Sequence, residues 1–556
     1  MAVERDVKEF RFQQLCKVKI SDKWPEQTTG RGQLLTCSSK YGLTFVGGPS
    51  GFTVLKTADI SHKDGQHPKD KSTVVITDCP VWMNVNTAQP PISLALSSDD
   101  QILLLVMISN DNLVAFFYTI DSFTQQGSAP VVRTSYQIDN QGLRLLDSAW
   151  NPALPHLLAL CLSDGSLALL SVTDKVVVMA RLPPSTQATC LCWSPKGKQL
   201  VVGKLDGTFS QYDQTLTEKK RGPYPNCLEP QRFKMIDILW ESTYMFIGTF
   251  LSLDSESSEQ PCAVLINTPK DGAASFVNLE DLCYGAGEDI PRKFFKTIIA
   301  KWEIILFASA SSSSIAVIGR NLENKTVWEK WNLDDNGRAE LPLDEEYADT
   351  FPVGMAVDYS SQTTLTLDDK SSYPPCPMLL LLSSDGVLVP FYMMYTIASA
   401  ACLTVPPEPL PGPTTPAQGS VAGIGTAELR FDGGSSQSSS TARMPQQSEP
   451  PISTATTQKS SLFKPASSTP ATYNPSNQPA GSALANPVPS FSFGPSFSFG
   501  TNQPTGSITF GQSGPSMAFT GVTQGIKILS FGRSHCIQRS IEVILTHCTC
   551  TELKSE

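Results

Sequence analysis

A strongly acidic stretch lies between residues 333 and 349. This stretch contains seven carboxylates and only one basic residue, Arg338. The carboxylates belong to Asp334, Asp335, Glu340, Asp344, Glu345, Glu346 and Asp349. The stretch reads as a loop between strands, which would leave these groups in water. A cluster of this sign produces a negative field that attracts a basic surface. The sequence therefore indicates a docking site for a basic partner, with a merely solvated acidic loop as the alternative.

A second recurring pattern is aromatic. Four Phe-Gly (FG) dipeptides, each preceded by Ser or Thr, contain Phe493, Phe499, Phe510 and Phe531. An isolated phenylalanine in an uncharged, flexible chain can enter a shallow apolar pocket on another protein. Single contacts are weak, but several along one chain add through effective concentration. The repeats predict rapid, reversible binding to receptor proteins, and the alternative is a low-complexity linker.

Patterns typical of catalysis or metal binding are not found. None of the five histidines is placed by the sequence near a nucleophile or a ligand partner. The sequence contains no P-loop, dinucleotide fingerprint or HExxH motif. The run His547-Cys548-Thr549-Cys550 lacks a second ligand pair at zinc spacing. We therefore expect a protein that is not an enzyme and that uses no cofactor or metal.

The elements that must position the acidic cluster are short strands. Across residues 1–395 an apolar stretch, a turn and a second apolar stretch recur seven times, at spacings of 43 to 62 residues; equivalent positions are Cys37, Leu96, Trp150, Trp193, Trp240, Trp302 and Val357. A four-stranded propeller blade takes ~40–45 residues. The pattern predicts an all-β, seven-bladed β-propeller with the tryptophans in its core. A β-sandwich or two smaller β-domains are the alternatives.

Turn residues and the two ends of this region support the same architecture. Asp-Gly pairs at Asp164, Asp206 and Asp385 predict two-residue hairpins, in which both positions tolerate positive φ. The seventh unit ends with a strand-like run to Tyr395, and no fourth strand follows it. A strand-like run at residues 9–20 precedes the first unit. Pairing of these two runs would close the ring and remove an exposed edge.

Beyond the propeller the composition changes. Residues 396–525 are rich in Pro, Ser, Thr, Gly, Ala and Gln, with no charged residue between Lys464 and Lys527. Such a segment cannot bury enough apolar area to offset an ordering entropy of ~1–2 kcal/mol per residue. We expect it to be disordered. Residues 526–556 change composition again and form a short atypical C-terminal tail.

The net charge and the distribution of cysteines indicate which classes of partner and which cellular compartment to expect. The formal net charge is −10, which argues against direct nucleic-acid binding or attraction to an anionic membrane. No apolar run approaches the ~20 residues that cross a bilayer, so membrane insertion is not expected. The 14 cysteines are scattered singly through apolar segments, as in proteins of a reducing compartment, cytosol or nucleus.

Several strings are more specific than a generic blade repeat. They are Lys40–Leu43 with Gly47–Gly51, Trp193–Leu200, Trp331–Pro342, and Ser384–Leu388 with Pro390–Met393. Through them, residues 5–395 resemble the nucleoporins of the nuclear pore's cytoplasmic face. The tail is similar to that family in character only. The family's long heptad stretch is not found here, which fits a truncated or alternatively spliced form.

The resemblance implies a propeller that binds the DEAD-box RNA helicase of mRNA export, in competition with RNA. It also implies that the FG repeats bind importin- and exportin-type transport receptors, and that other nucleoporins are neighbours. The match at Asp334, Asp335, Arg338 and Glu340 makes the acidic stretch the predicted helicase site. The alternatives are a WD-type propeller adaptor of another cytosolic assembly and a propeller hydrolase with catalytic groups in its central channel.

Overall fold

Seven twisted sheets form a ring in the computed structural model. The structure describes residues 3–23, 32–65, 74–124, 127, 129–138, 142–253, 261–280, 282, 293–368 and 371–412. Within these residues the strands assemble into seven blades and one separate two-stranded hairpin. The predicted seven-bladed β-propeller is confirmed. The FG phenylalanines and residues 526–556 lie outside the described residues, so the predictions for them stay predictions.

Blades 1 to 5 each contain four antiparallel strands, ordered from the ring centre outward as they follow in the chain. Their bounds are Leu35–Ser38, Leu43–Gly48, Gly51–Lys56 and Val81–Asn86 in blade 1; Pro91–Leu96, Ile102–Ser109, Asn112–Thr119 and Val132–Gln137 in blade 2; Leu145–Trp150, Leu157–Leu162, Leu167–Val172 and Val176–Leu182 in blade 3; Ala188–Trp193, Gln199–Lys204, Phe209–Asp213 and Glu218–Gly222 in blade 4; and Phe233–Trp240, Met245–Ser252, Cys262–Asn267 and Ser275–Glu280 in blade 5.

Blades 6 and 7 take strands from the N-terminus. Blade 6 contains Phe294–Ile299, Ile304–Ser309, Ile315–Arg320 and Trp328–Leu333, and Val3–Val7 pairs in parallel with the last of these. Blade 7 contains Pro352–Asp358, Met378–Ser383 and Val387–Tyr395, to which Phe10–Gln14 and Lys17–Lys19 add antiparallel and Val75–Ile76 adds beyond them. The predicted closure of the ring by residues 9–20 is confirmed, and the extra strand on blade 6 is a finding.

Short elements connect these strands. An α-helix, Thr57–Asp64, stands between the third and fourth strands of blade 1, where the sequence predicted no helix. The 3-10 helices are Ile120–Thr124, Pro184–Thr186, Asn226–Leu228 and Asp335–Gly337. A hairpin of Leu365–Asp368 and Ser371–Tyr373 lies outside the blades.

Apolar patterning explains the position of each strand within its blade. Leu157–Leu162 is buried at every residue because neighbouring blades cover both faces of this second strand. The outermost strand of the same blade, Val176–Leu182, alternates between half-buried and exposed residues. The tryptophans are core anchors, as predicted: the Trp150 and Trp193 indoles are buried and donate to the Ala95 and Ala149 carbonyls of the preceding blades at 3.3 and 3.0 Å.

The Asp-Gly turns differ from the two-residue hairpins that the sequence predicted. In blade 3, Gly165 has a φ of +83°, whereas Asp164 does not have positive φ. The Gly165 N–H donates to the Leu162 carbonyl at 2.9 Å, and the Asp164 carboxylate accepts from the Ser166 N–H at 2.9 Å. The expectation of positive φ at both positions was wrong, because the aspartate holds the turn through its side chain and leaves the left-handed position to glycine.

The chain continues along the propeller after its last strand. Residues 396–412, which the sequence placed in the disordered tail, make backbone contacts with blades 6, 7 and 1. The Trp302 indole donates to the Ala401 carbonyl at 2.8 Å, and the Val405 N–H donates to the Tyr359 carbonyl at 2.8 Å. Leu403 is buried in the core shared by blades 6 and 7. The buried Leu403 side chain and these hydrogen bonds together hold the segment against the ring.

Candidate functional site

The acidic loop, residues 333–349, connects the outer strand of blade 6 to the inner strand of blade 7. Ala339 and Leu341 point inward and are buried in the core between these blades. The Ile315 N–H donates to the Ala339 carbonyl at 3.1 Å, and the Leu341 N–H donates to the Ser313 carbonyl at 2.9 Å. The loop is therefore held by core packing and by main-chain pairing with blade 6.

The extended backbone around Ala339 decides which side chains reach solvent. Because successive residues of an extended chain point to opposite sides, Arg338 and Glu340 face outward while Ala339 faces inward. Asp334 and Asp335 are exposed at the start of the loop, where Asp335 begins the 3-10 helix and Asp334 precedes it. Arg338 Nη1 lies 3.4 Å from the Asp335 carboxylate; the Arg338 side chain is half-exposed and that of Asp335 is almost fully exposed. An exposed pair of this kind contributes little stability, ~0–1 kcal/mol, so both charges remain available to a partner.

Asp344 has a different position from the other predicted acids. Its carboxylate accepts from the Glu346 and Ala348 N–H groups, each at 2.9 Å, and from Lys23 Nζ at 3.3 Å. Only 9% of its side chain is exposed. The hydrogen bond from the Ala348 N–H, together with that from Glu346 and the Lys23 ammonium, lowers the pKa of Asp344 below its usual value. This residue shapes the turn, whereas Glu345, Glu346 and Asp349 are exposed around it.

The turn also displays two apolar side chains that the sequence analysis did not single out. Tyr347 is 86% exposed and has a φ of +62°, and its N–H donates to the Asp344 carbonyl at 3.1 Å. Leu343 is 52% exposed. An aromatic residue between acidic neighbours in a loop was the available signal, because tyrosines are enriched among the residues that dominate binding energy at protein interfaces.

The loop can therefore serve as a recognition surface. It presents the exposed side chains of Tyr347 and Leu343 together with six exposed carboxylates, on Asp334, Asp335, Glu340, Glu345, Glu346 and Asp349. Exposed charge on a held backbone steers a basic partner and sets its orientation, while apolar groups supply area to bury.

Charged groups also meet in the central channel. A cavity of about 190 Å³ is lined by residues that include Asp147, Asp237 and Lys296. Asp237 is ion-paired with Lys296. The Asp147 carboxylate accepts from the Leu191 N–H at 3.0 Å and the Ser148 N–H at 2.9 Å. These acids tie inner strands together within and between blades, which is a structural use of their charge.

Two further findings are limited to the part of the chain that the structure describes. No cluster of three or more His, Cys, Asp or Glu side chains with metal-binding geometry occurs in it. It also contains no helix of the length and hydropathy needed to cross a membrane. Phe493, Phe499, Phe510 and Phe531, the predicted receptor-binding residues, lie outside it.

Comparison with known protein families identifies the family to which this propeller belongs. Residues 30–388 match the family model described as the NUP159/214 beta propeller. The chain belongs to the Nup159/Nup214 β-propeller family. The resemblance seen in the sequence is confirmed at the level of the family. Because this is a family of nucleoporin propellers and not of enzymes, the prediction of a non-enzymatic protein is also confirmed.

Individual Nup214 relatives agree with this membership. The chain is 38% identical to the human nuclear pore complex protein Nup214 over 420 residues, 74% of this chain and 20% of that protein. It is 30% identical to the Drosophila melanogaster Nup214 over 413 residues, 73% of this chain and 23% of that protein. The chain therefore spans about a fifth of the length of these relatives.

Solved Nup159 structures share the fold. A Saccharomyces cerevisiae structure of Dbp5 bound to Nup159, Gle1, IP6 and ADP contains a chain that matches with a TM-score of 0.52 and 17% identity, covering 71% of this chain and 98% of that one. The N-terminal domain of Nup159 matches with a TM-score of 0.52 and 16% identity, covering 71% of this chain and 98% of that domain. At this identity the similarity concerns the fold.

Proposed function

We propose that this protein is a nuclear pore component whose propeller binds the DEAD-box RNA helicase of mRNA export through the acidic loop. The observation that carries the proposal is the loop itself, which exposes six carboxylates and a tyrosine and is anchored in the core through Ala339 and Leu341. Family membership supports it, and so does the S. cerevisiae structure, in which a Nup159 propeller accompanies the helicase Dbp5.

The charges of the loop explain how such a partner would be recognised. A helicase must present a basic surface to the RNA backbone, since phosphate contacts dominate RNA affinity. The carboxylates of Asp334, Asp335 and Glu340 on one side, and of Glu345, Glu346 and Asp349 on the other, match a surface of that sign. RNA and the loop would then occupy the same basic patch, so binding of one excludes the other.

The charged and the apolar side chains of the loop have different parts in this mechanism. Exposed carboxylates act at long range and raise the rate of association. Tyr347 and Leu343 act only on contact, because burying their apolar surface slows dissociation. Asp344 positions Tyr347 by accepting the two N–H groups that flank it.

The proposal extends to the tail and to the location of the protein. The FG repeats at Phe493, Phe499, Phe510 and Phe531 would bind importin- and exportin-type transport receptors by weak, repeated contacts. The pore's cytoplasmic face, with other nucleoporins as neighbours, is where a helicase that remodels exported mRNA–protein particles would be needed.

Reconstitution from purified components tests the helicase proposal. The full chain and the helicase are mixed and separated by size-exclusion chromatography with light scattering. We expect a one-to-one complex that dissociates when single-stranded RNA is added in excess. A chain in which Glu345, Glu346 and Asp349 are replaced by lysine should elute alone. A helicase–propeller complex that keeps full occupancy with saturating RNA also bound would contradict the competition, and co-elution of the lysine variant would place the site elsewhere.

A further inference from the structure

The outer strand of blade 3, Val176–Leu182, is a sheet edge with an apolar centre. On one side it pairs with Leu167–Val172, and no strand among the described residues pairs with its other side. Every residue from 176 to 180 is apolar, and Val177 and Met179 remain 41% and 60% exposed. An edge strand presents N–H and C=O groups without ladder partners, so an apolar edge is a template for another strand.

Two of the corresponding edges in the ring are protected in ways that blade 3 is not. The outer strand of blade 4, Glu218–Gly222, begins with four charged residues in succession, a composition that opposes strand addition. The outer strand of blade 6 is covered by Val3–Val7, which lies parallel to it over five consecutive residue pairs. Blade 6 shows that a blade of this propeller accepts a fifth strand, and the outer strand of blade 3 has neither a run of charged residues along it nor, in the described part of the chain, a covering strand.

The adjacent blade extends this surface. Val131 and Val132, at the start of the outer strand of blade 2, are 58% and 41% exposed. Arg133 Nη2 lies 2.7 Å from Asp174 Oδ1, and Arg181 Nη2 donates to the Tyr136 hydroxyl at 3.0 Å. These contacts join the two outer strands, so the exposed apolar side chains lie on one stretch of the rim.

Charge at the two ends of the strand identifies the kind of partner. Lys175 precedes the strand, Arg181 lies near its end, and both side chains are exposed, whereas the nearby Asp174 is already paired with Arg133. The two cations are six residues apart, which is roughly 20 Å in an extended strand. We propose that this edge binds an extended segment of another protein as a fifth strand, with apolar residues at its centre and a carboxylate near each end.

A second copy of this chain fits the edge less well. An antiparallel pairing of two copies centred on Val178 would keep the apolar residues opposite each other. That register places Lys175 of one copy opposite Arg181 of the other. Like charges directly opposite in a sheet are destabilising, so the geometry points to a different polypeptide.

The test uses the full chain and a synthetic heptapeptide, acetylated and amidated, of sequence Asp-Thr-Val-Thr-Val-Thr-Glu. Amide hydrogen exchange is followed by mass spectrometry while the peptide is titrated. We expect slower exchange at residues 176–182. The double substitution V177K with M179K should remove this protection without changing the melting temperature, since both side chains are exposed. Val277→Lys, at a 38% exposed position on the outer strand of blade 5, is the matched control and should keep it.

Two further peptides separate strand addition from general attraction. A peptide with proline at the central threonine cannot complete the ladder, and one with lysine at both ends carries the wrong charge. Each should bind about fivefold more weakly, the ratio expected from about 1 kcal/mol of cross-strand pairing. Equal binding of all three peptides, unchanged protection in the double variant, or dimerisation of the wild-type chain through this edge would overturn the proposal.

Discussion

Phe10 and Tyr395 lie directly opposite each other where the N-terminal strand meets the last strand of blade 7. Their ring centroids are 5.9 Å apart and the ring planes are inclined by 73°. Phe10 also contacts the rings of Trp302 and Trp331 of blade 6. A single residue near the N-terminus therefore links the final strand of the ring to the neighbouring blade.

Truncation of this residue should weaken the closure. Phe10 is 1% exposed, so Phe10→Ala leaves a cavity between blades 6 and 7. We expect the free energy of unfolding to fall by about 3–5 kcal/mol, the usual cost for a buried phenylalanine. Urea titration followed by tryptophan fluorescence measures it. Val3→Ala, at a half-exposed position, is the control and should change it by less than about 0.5 kcal/mol. Equal effects of the two substitutions would show that the ring does not depend on this contact.

A second prediction concerns the buried carboxylate of Asp358, at the end of the inner strand of blade 7. Burial, and to a lesser degree repulsion from Asp100, raises the pKa of Asp358, although the hydroxyl and N–H of Ser360 donate to it. A raised folded-state pKa means that wild-type stability is lost as pH rises through that value. Asp358→Asn does not ionise. The unfolding free energy of the variant should therefore improve relative to wild type between about pH 3 and pH 7.

Urea titrations of both proteins across this pH range give the comparison. The difference between variant and wild type is the informative quantity, because other carboxylates titrate in both proteins and cancel. A difference that stays constant with pH would contradict the assignment of Asp358 as a carboxylate that is costly to ionise.

The third prediction separates contact from charge at the acidic loop. Tyr347→Ala should weaken helicase binding by about 2 kcal/mol, close to thirtyfold, if the ring is buried in the complex. The loss should lie in the dissociation rate, which surface plasmon resonance measures. Tyr244→Ala removes a tyrosine that is 41% exposed on blade 5 and is the matched control. An unchanged dissociation rate for Tyr347→Ala would show that the tyrosine does not contact the helicase and that the charged side chains alone account for binding.

The fourth prediction concerns the tail. Replacing Phe493, Phe499, Phe510 and Phe531 by serine should abolish retention of the full chain on an immobilised importin-type receptor. The melting temperature of the propeller should not change. Each single substitution should reduce retention only partly, since the contacts add through effective concentration. Undiminished retention of the fourfold variant would make the tail a linker and favour the adaptor alternative.

Much of the architecture could be predicted because the propeller repeats its own signals. Trp150 and Trp193 end equivalent strands, and the Asp-Gly turns mark equivalent hairpins. A blade whose own pattern is weak can therefore be located from the spacing of the others. The strand Val3–Val7 could not be predicted in this way. It pairs with Trp328–Leu333, more than three hundred residues away, and nothing local in its sequence specifies that partner.

The candidate site was predicted only in part. The charges of Asp334, Asp335 and Glu340 could be predicted from the sequence. Charged side chains on a loop are exposed whatever the exact path of its backbone, and all three are exposed in the structure. The roles of Asp344 and Tyr347 depend on the turn that joins them. That turn is fixed by Lys23 and by main-chain hydrogen bonds, which composition does not reveal.

The central claim is that the acidic loop binds the helicase through its exposed charge. Its most direct test is the equilibrium affinity of the double variant, Asp334→Lys with Asp335→Lys, for the purified helicase at several salt concentrations. Both side chains are exposed, so the fold should be intact. We expect an affinity at least about tenfold below wild type, since close interfacial charge pairs couple by ~1.5 kcal/mol or more. We also expect wild-type affinity to fall as salt rises, because exposed charges are screened beyond about 8–10 Å. Wild-type affinity in the double variant, together with binding that is insensitive to salt, would contradict the claim.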